Sequence, residues 1–292
     1  MPCVVPPEVF KAIEDTHGKF FEALSGVDRV AIVTDHLDLA KSDIRAELLE
    51  KYAPFRGSKL LEIGSGVGTN LVVWIKDYGV DAYGVEPASV GFDAAFQASR
   101  TLLAANGIDT ARVIDAFGES LPFADNSFDL VYSGNVLEHV QNPEKVLDEA
   151  IRVLKPGGVL HMEFPNFLSY YESHYMVFQP PMPTRGLLKL WVRLRGRDPS
   201  FVDTLQLLNP IWCRRMLRAL KKRHAFQLLS LGDDVFLEKL AKPYEFRTPL
   251  SGRFLTGTVR AIQALNVGNW IGRLIVAANG YYPIFLTIRK QA

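Results

Sequence analysis

Short apolar runs alternate, through the middle of this chain, with longer stretches whose apolar residues recur every three or four positions. Each period predicts its own element. The runs at 59–63, 82–85, 112–114, 129–133 and 159–164 read as strands. Between them, 69–78 and 89–106 read as helices, and a third helix starts near Pro143 and stops at the Lys155-Pro156-Gly157-Gly158 break. Strands and helices in alternation predict an α/β protein with a doubly wound, mostly parallel sheet. Ahead of them, 8–53 is mostly helical, with Leu37, Ile44, Leu48 and Leu49 at helical spacing before Pro54 ends the run. Residues 1–54 are therefore expected to form an N-terminal helical cap on a core spanning 55–292.

After Phe164 the rhythm breaks. Residues 165–208 are crowded with aromatics, prolines and arginines, and only then come a helix near 210–223 and a strand at 226–230. A second irregular stretch, 231–280, precedes a last strand at 284–289. Long aperiodic segments inside a compact domain are often lids or binding elements, so both stretches are expected to be acceptor-side insertions.

Composition narrows the class. With 292 residues, 48% of them hydrophobic, the chain can bury a sizeable core. A formal net charge of +1 gives no reason to expect a nucleic-acid partner. Cys3 and Cys213 have no Cys or His partner at metal-ligand spacing, so neither a disulfide framework nor a cysteine-based metal site is expected, and no metal-ligand set is named. The first residues lack a basic and apolar leader, and the apolar stretch 254–288 is broken by Arg260, Asn266, Arg273 and Asn279. A soluble, cytoplasmic protein is the expectation.

The candidate chemistry begins at 60–68, Leu-Leu-Glu-Ile-Gly-Ser-Gly-Val-Gly. An apolar strand runs through an acid, Glu62, into three alternate glycines, Gly64, Gly66 and Gly68, around Ser65. Glycines there allow a tight turn that a ligand can approach closely, and the helix that follows offers free N–H groups to an anion. A dinucleotide fingerprint would place its third glycine at position 69, where this chain has Thr69. Glu86, followed by Pro87, stands about 20 residues on, at the end of the second strand, where an acid reaches a ribose.

The glycine turn resembles motif I of the class I S-adenosylmethionine (SAM)-dependent methyltransferases. Two further segments resemble the subgroup often labelled type 11: Leu-Pro-Phe followed by Phe-Asp-Leu-Val within 118–132, and Val-Leu-Glu-His-Val at 136–140. The resemblance covers about 55–165, with weaker agreement near 205–230 and 281–290. It implies a Rossmann-like, seven-stranded sheet whose last strand is antiparallel, and SAM as cofactor. It implies that Gly118, Glu119 and Ser120 border the adenine, that Asn135 faces the methionine end and that His139 lies at the mouth near the transferring methyl. Many relatives carry an Asp two positions before the Glu; here Phe117 stands there, and Asp115 is out of register.

On the acceptor side, Asn166, Tyr171, Glu172, His174 and Tyr175 follow the fifth strand closely. Transfer to a hydroxyl requires a base, and His139, His174 and Glu172 are the candidates. The stretch 185–223 is basic, and 186–195 interleaves leucines with those charges, a pattern suited to an anionic or membrane-associated acceptor. The expected acceptor is a hydroxyl of a small molecule, a glycan or a lipid-linked intermediate, with peripheral contact to an anionic membrane. The alternatives are a non-catalytic SAM-binding protein, an N- or C-methyltransferase of a small metabolite, and, disfavoured by Thr69, a nicotinamide-dependent oxidoreductase.

Overall fold

A computed structural model describes residues 3–89, 93–241 and 268–292. Seven strands form one sheet: β1 (Lys59–Ile63), β2 (Asp81–Val85), β3 (Val113–Ile114), β4 (Phe128–Gly134), β5 (Leu154–Phe164), β8 (Phe226–Ser230) and β9 (Ile284–Lys290). Their order is β3-β2-β1-β4-β5-β9-β8. Every neighbouring pair is parallel except β5·β9 and β8·β9, so β9 alone runs against the rest. Strand order reverses between β1 and β4, and the carboxyl ends of β1, β2, β4 and β5 share one edge, the usual ligand edge of such a sheet.

The central strands are apolar on both faces because helices cover both. Leu61, Ile63, Val131, Leu160 and Met162 pack on one side with α7 (Pro143–Val153) and α9 (Pro210–Leu220). Leu60, Leu130, Tyr132 and Val159 pack on the other with α5 (Thr69–Tyr78) and α6 (Asp93–Ala105). The N-terminal helices join this second core. Val9 and Ile13 of α1 (Pro7–Ile13), Val33 of α3 (Arg29–His36), and Ala46 and Leu49 of α4 (Ala40–Glu50) are buried in it, with α2 (Lys19–Ser25) completing the N-terminal group. Helix starts are locally encoded. Asn142 caps α7 by accepting from the Lys145 N–H, with Pro143 in the first turn, and Asn209 and Pro210 repeat the device for α9.

Three expectations change in detail. The helix stop holds, since α7 ends at Val153, but the Lys155-Pro156-Gly157-Gly158 segment lies inside β5, which begins at Leu154; Leu154 pairs with Phe128 and the register then shifts, so the predicted turn is a strand irregularity. The predicted strand at 112–114 is only Val113–Ile114, because Thr110–Arg112 forms a single tight helical turn. The stretch 165–208 is structured: a hairpin of β6 (Tyr171–Glu172) and β7 (Val177–Phe178), then α8 (Arg185–Leu194), around a small core that includes Phe167, Tyr175, Val192 and Val202. In 231–280, α10 (Asp233–Ala241) and α11 (Gly268–Ala277) are helical, and 242–267 lies outside the described residues.

Candidate functional site

The glycine turn is held by the strand beside it. The Gly64 and Ser65 N–H groups both donate to the Val85 carbonyl, at 2.9 and 3.1 Å. Gly66 donates to the Glu86 carboxylate at 2.8 Å, so the turn after β1 and the acid after β2 form one surface. Gly64, Gly66 and Gly68 all have positive φ. A Cβ at Gly64 would overlap the Val136 side chain, which packs the turn against the loop after β4. A Cβ at Gly66 would meet nothing within 4 Å, which leaves an open cradle beside Glu86. Gly64→Ala is thus expected to lower stability by roughly 2–4 kcal/mol, from left-handed strain plus overpacking. A thermal melt that matched the wild type would show that the turn does not depend on this contact.

Burial governs the acids around the cradle. It pushes the Glu86 carboxyl up to about 7, although the Gly66 N–H opposes the shift. It pushes Glu62 up to about 8, against a hydrogen bond from Asn70 and the charge of Arg45. One Glu62 oxygen accepts from Asn70 at 2.6 Å, while the other and the Ser65 hydroxyl have no hydrogen-bond partner among the described residues. Ser42 and Arg45 of α4 both donate to the Asn70 side chain, at 2.7 and 3.2 Å. The Arg45 guanidinium is surrounded by Tyr132, Glu163 and Glu62. Ser42, Arg45 and Asn70 escaped the sequence reading. Asn70 follows the glycine turn closely enough to be suspected, but Ser42 and Arg45 sit on an ordinary amphipathic helix with no motif around them.

The remaining predicted cofactor residues fall on the same edge. Gly118 abuts the end of β1, where a Cβ would press on Ile63. Glu119 accepts from the backbone N–H groups of Gln141 and Asn142, so its carboxylate anchors the approach to α7. Ser120 is exposed and donates through its N–H to the Phe117 carbonyl. Phe117 itself presents its ring outward beside Gly118, half exposed at 51%. Asp115 accepts from the Ala88 N–H and steadies the loop that carries Glu86 and Pro87. Asn135 adopts a positive φ and donates its N–H to the Glu163 carbonyl.

The structure brings some of the predicted acceptor-side residues together and sets others apart. Asn166 donates to the Asn279 and Tyr281 carbonyls and so ties the insertion to the segment before β9, while Tyr175 donates to the Asp198 carbonyl and binds the insertion to itself. Tyr171 packs on Phe178 and Tyr282. Glu172 instead builds a tight turn: one oxygen meets His174 Nδ1 at 2.6 Å and the other accepts the Tyr175 N–H at 2.6 Å. That turn carries His174 Nε2 to within 3.3 Å of His139 Nε2. The two rings are perpendicular, and Phe201 packs against both. Gln206 fastens the insertion to this place by donating its N–H to the Glu138 carbonyl and its amide to the Val140 carbonyl. Burial lowers His139, and His174 adds to the effect. Burial also opposes a charged His174, but the Glu172 charge and hydrogen bond outweigh it and the net shift is upward.

The residues at the edge suit a ligand with a ribose, a cationic centre and an amino-acid end. Glu86 offers a buried carboxylate, Gly66 an open cradle, and Glu62, Arg45 and Asn70 a polar pocket with unpartnered acceptors. A family model described as a methyltransferase domain matches residues 61–162. An uncharacterized methyltransferase of Mycolicibacterium vanbaalenii is 30% identical over 194 residues, which cover 65% of this chain and 68% of that protein. The chain belongs to the methyltransferases. It is a class I enzyme with SAM as its cofactor.

Among solved structures, this methyltransferase is similar to the [4+2]-cyclase SpnF, at TM-score 0.52 and 20% identity over 86% of this chain and 82% of that one. It is also similar to the geranyl diphosphate C-methyltransferase of Streptomyces coelicolor, at TM-score 0.50 and 15% identity over 86% and 79%. At such identities these likenesses establish the shared fold alone.

Proposed function

We propose that this methyltransferase delivers its methyl group to a hydroxyl of a lipid-linked acceptor. The observation that carries the hydroxyl reading is the meeting of His139, four residues past Asn135 at the ligand edge of the sheet, with His174 and Glu172. SAM, when bound, supplies a methyl group made electrophilic by its sulfonium. The chain then has to hold the cofactor and align and activate the acceptor oxygen. Glu86 would accept from the ribose hydroxyls, and Arg45, Glu62 and Asn70 would receive the methionine end. The exposed Phe117 ring, next to Gly118, is placed to cover an adenine. The imidazole pair would hold the acceptor oxygen and take up its proton, with Glu172 orienting His174.

A second observation bears on what carries the hydroxyl. The basic residues of α9 form an ordinary solvated face, since Cys213, Met216, Leu217 and Leu220 fill the core beneath them. Helix α8 is different. Leu188 and Val192 are buried, yet Leu187, Leu190 and Leu194 stand exposed at 48, 53 and 70%. They share one face at i, i+3 and i+7, beside Arg193 and Arg195. Exposed leucines flanked by cations fit the surface of an anionic bilayer. Among the described residues no helix is long and apolar enough to cross a membrane.

The test uses tritiated SAM and cell lipid extract presented in vesicles containing an anionic phospholipid. Label is expected in a lipid methyl ether, with the protein sedimenting on the vesicles in a salt-sensitive manner. Leu190→Asp combined with Leu194→Asp should lower both signals about tenfold or more, since each leucine withdrawn from the interface forfeits roughly 1.5–3 kcal/mol. Label confined to methylamines or carbon, or undiminished sedimentation of the double variant, would refute the corresponding half of the reading.

A further inference from the structure

Glu138 lies between His139 and His174 and has no role in the account above. It is fully buried, at 0% exposure, and among the described residues no other residue donates a hydrogen bond to either of its carboxylate oxygens. A buried carboxylate without partners is costly and calls for a specific counterpart. Its Oε1 is 3.9 Å from His139 Nε2 and 3.9 Å from His174 Nε2, and those two nitrogens are 3.3 Å apart. The point equidistant from the corners of that triangle is about 2.2 Å from each, which falls at the long end of transition-metal bonds to His and carboxylate, about 2.0–2.2 Å. A small contraction of the triangle sets an ion just out of its plane, with coordination positions left open on that side.

The surroundings agree. Glu172 contacts His174 Nδ1 at 2.6 Å, which directs the lone pair of Nε2 toward the triangle. A carboxylate behind a ligating histidine is the usual support of a metal site. An Nε2–H···Nε2 bond between the two histidines would still leave Glu138 unmatched, whereas a cation serves all three groups together.

We propose that Glu138, His139 and His174 bind one divalent transition-metal ion, with Glu172 as the positioning residue for His174. Two nitrogens and one carboxylate with open positions suit Zn²⁺, Mn²⁺ or Fe²⁺ and are a poor match for Mg²⁺ or Ca²⁺, which prefer all-oxygen sets. The inference rests on the hydroxyl reading for its purpose. With an ion in place the two imidazoles would serve as its ligands in place of acting as bases: an acceptor hydroxyl would take an open position and lose its proton to solvent, and its oxygen would then bond the SAM methyl carbon as the carbon–sulfur bond breaks. The resulting metal-bound alkoxide or phenoxide is the nucleophile. Sequence spacing could not show the site, because His174 is 35 residues from its neighbours.

The full-length protein, stripped with chelator, is titrated calorimetrically with zinc chloride alone. One zinc per chain is expected. Glu138→Gln, His139→Ala and His174→Ala should each weaken it at least about a hundredfold, and Glu172→Gln by roughly 10–100-fold, while SAM affinity is retained. Cobalt(II) gives a second readout: the wild type should develop ligand-field absorption bands that His174→Ala lacks. Absence of stoichiometric binding by zinc, manganese and cobalt, or wild-type binding in all four variants, would overturn the site. If the stripped enzyme transfers methyl to the hydroxyl acceptor at the full rate, the metal role falls and the hydroxyl reading stands. If zinc binds as expected but label goes only to nitrogen or carbon, the site stands and the hydroxyl reading falls.

Discussion

Glu86→Ala is expected to weaken SAM binding on the order of a hundredfold with the fold intact. The Glu86 carboxylate is buried, and its one described protein partner is the Gly66 N–H on the opposite side of the cradle. Two charge-assisted bonds to ribose hydroxyls would go with it, and hydrogen bonds to charged groups contribute about 1.5–3 kcal/mol each. Glu86→Gln keeps the shape and loses the charge, so an intermediate loss is expected. Because burial lifts Glu86 to about 7, pH gives an independent check. The carboxylate form grows as pH rises through that value, so SAM affinity should rise between about pH 6 and 8, more steeply in the wild type than in Glu86→Gln. Stability of the ligand-free protein should run the other way. A carboxyl whose folded value lies above its unfolded one stabilises the fold while protonated, and that contribution is lost as pH rises through about 7. Glu62, lifted by burial to about 8, acts in the same direction and persists in Glu86→Gln. Calorimetric affinities within a few-fold of wild type for Glu86→Ala, with no difference in pH slope, would remove Glu86 from the ribose site.

His174→Ala and His139→Ala should each lower turnover by about 10²–10⁴-fold while SAM affinity changes only a few-fold. Both side chains stand on the acceptor side, and neither hydrogen-bonds the glycine turn or Glu86. Glu172→Gln should cost less, because a neutral amide can still accept from His174, though its bond to the Tyr175 N–H also serves the turn. The measurement is single-turnover methyl transfer at saturating SAM, using the acceptor fraction that takes up label. Unchanged rates in both histidine variants would exclude the cluster from the chemistry. Equal loss of rate and SAM affinity would point instead to collapse of the acceptor-side insertion.

The cofactor half of the site was the more legible half, for a local reason. Each of its groups lies at or just past the end of a strand: Glu62 near the end of β1 and the glycines after it, Glu86 after β2, Asn135 after β4. In a parallel sheet all those ends share one edge, so reading the alternation is nearly enough to assemble them. Glu119 shows where that logic stops. Its position was readable, but only packing revealed that its carboxylate is occupied by the N–H groups ahead of α7. Asn166 and Tyr175 had the composition of a binding site, yet Asn166 ties the insertion to the segment before β9 and Tyr175 ties the insertion to itself.

By itself the sequence determined the alternating sheet, its carboxyl-end edge and the glycine turn, because hydrophobic period and glycine spacing are local properties of the chain. Tertiary structure decided what long-range contact alone can decide. It brought Ser42 and Arg45 of an N-terminal helix onto Asn70, set His174 on a Glu172-built turn opposite His139, and left the Glu138 carboxylate buried between the two. It also left three leucines of α8 facing outward when helical spacing equally allowed them a core. The encounter of His139 with His174 depends on how an irregular segment packs back over the sheet, and no short-range pattern encodes that path.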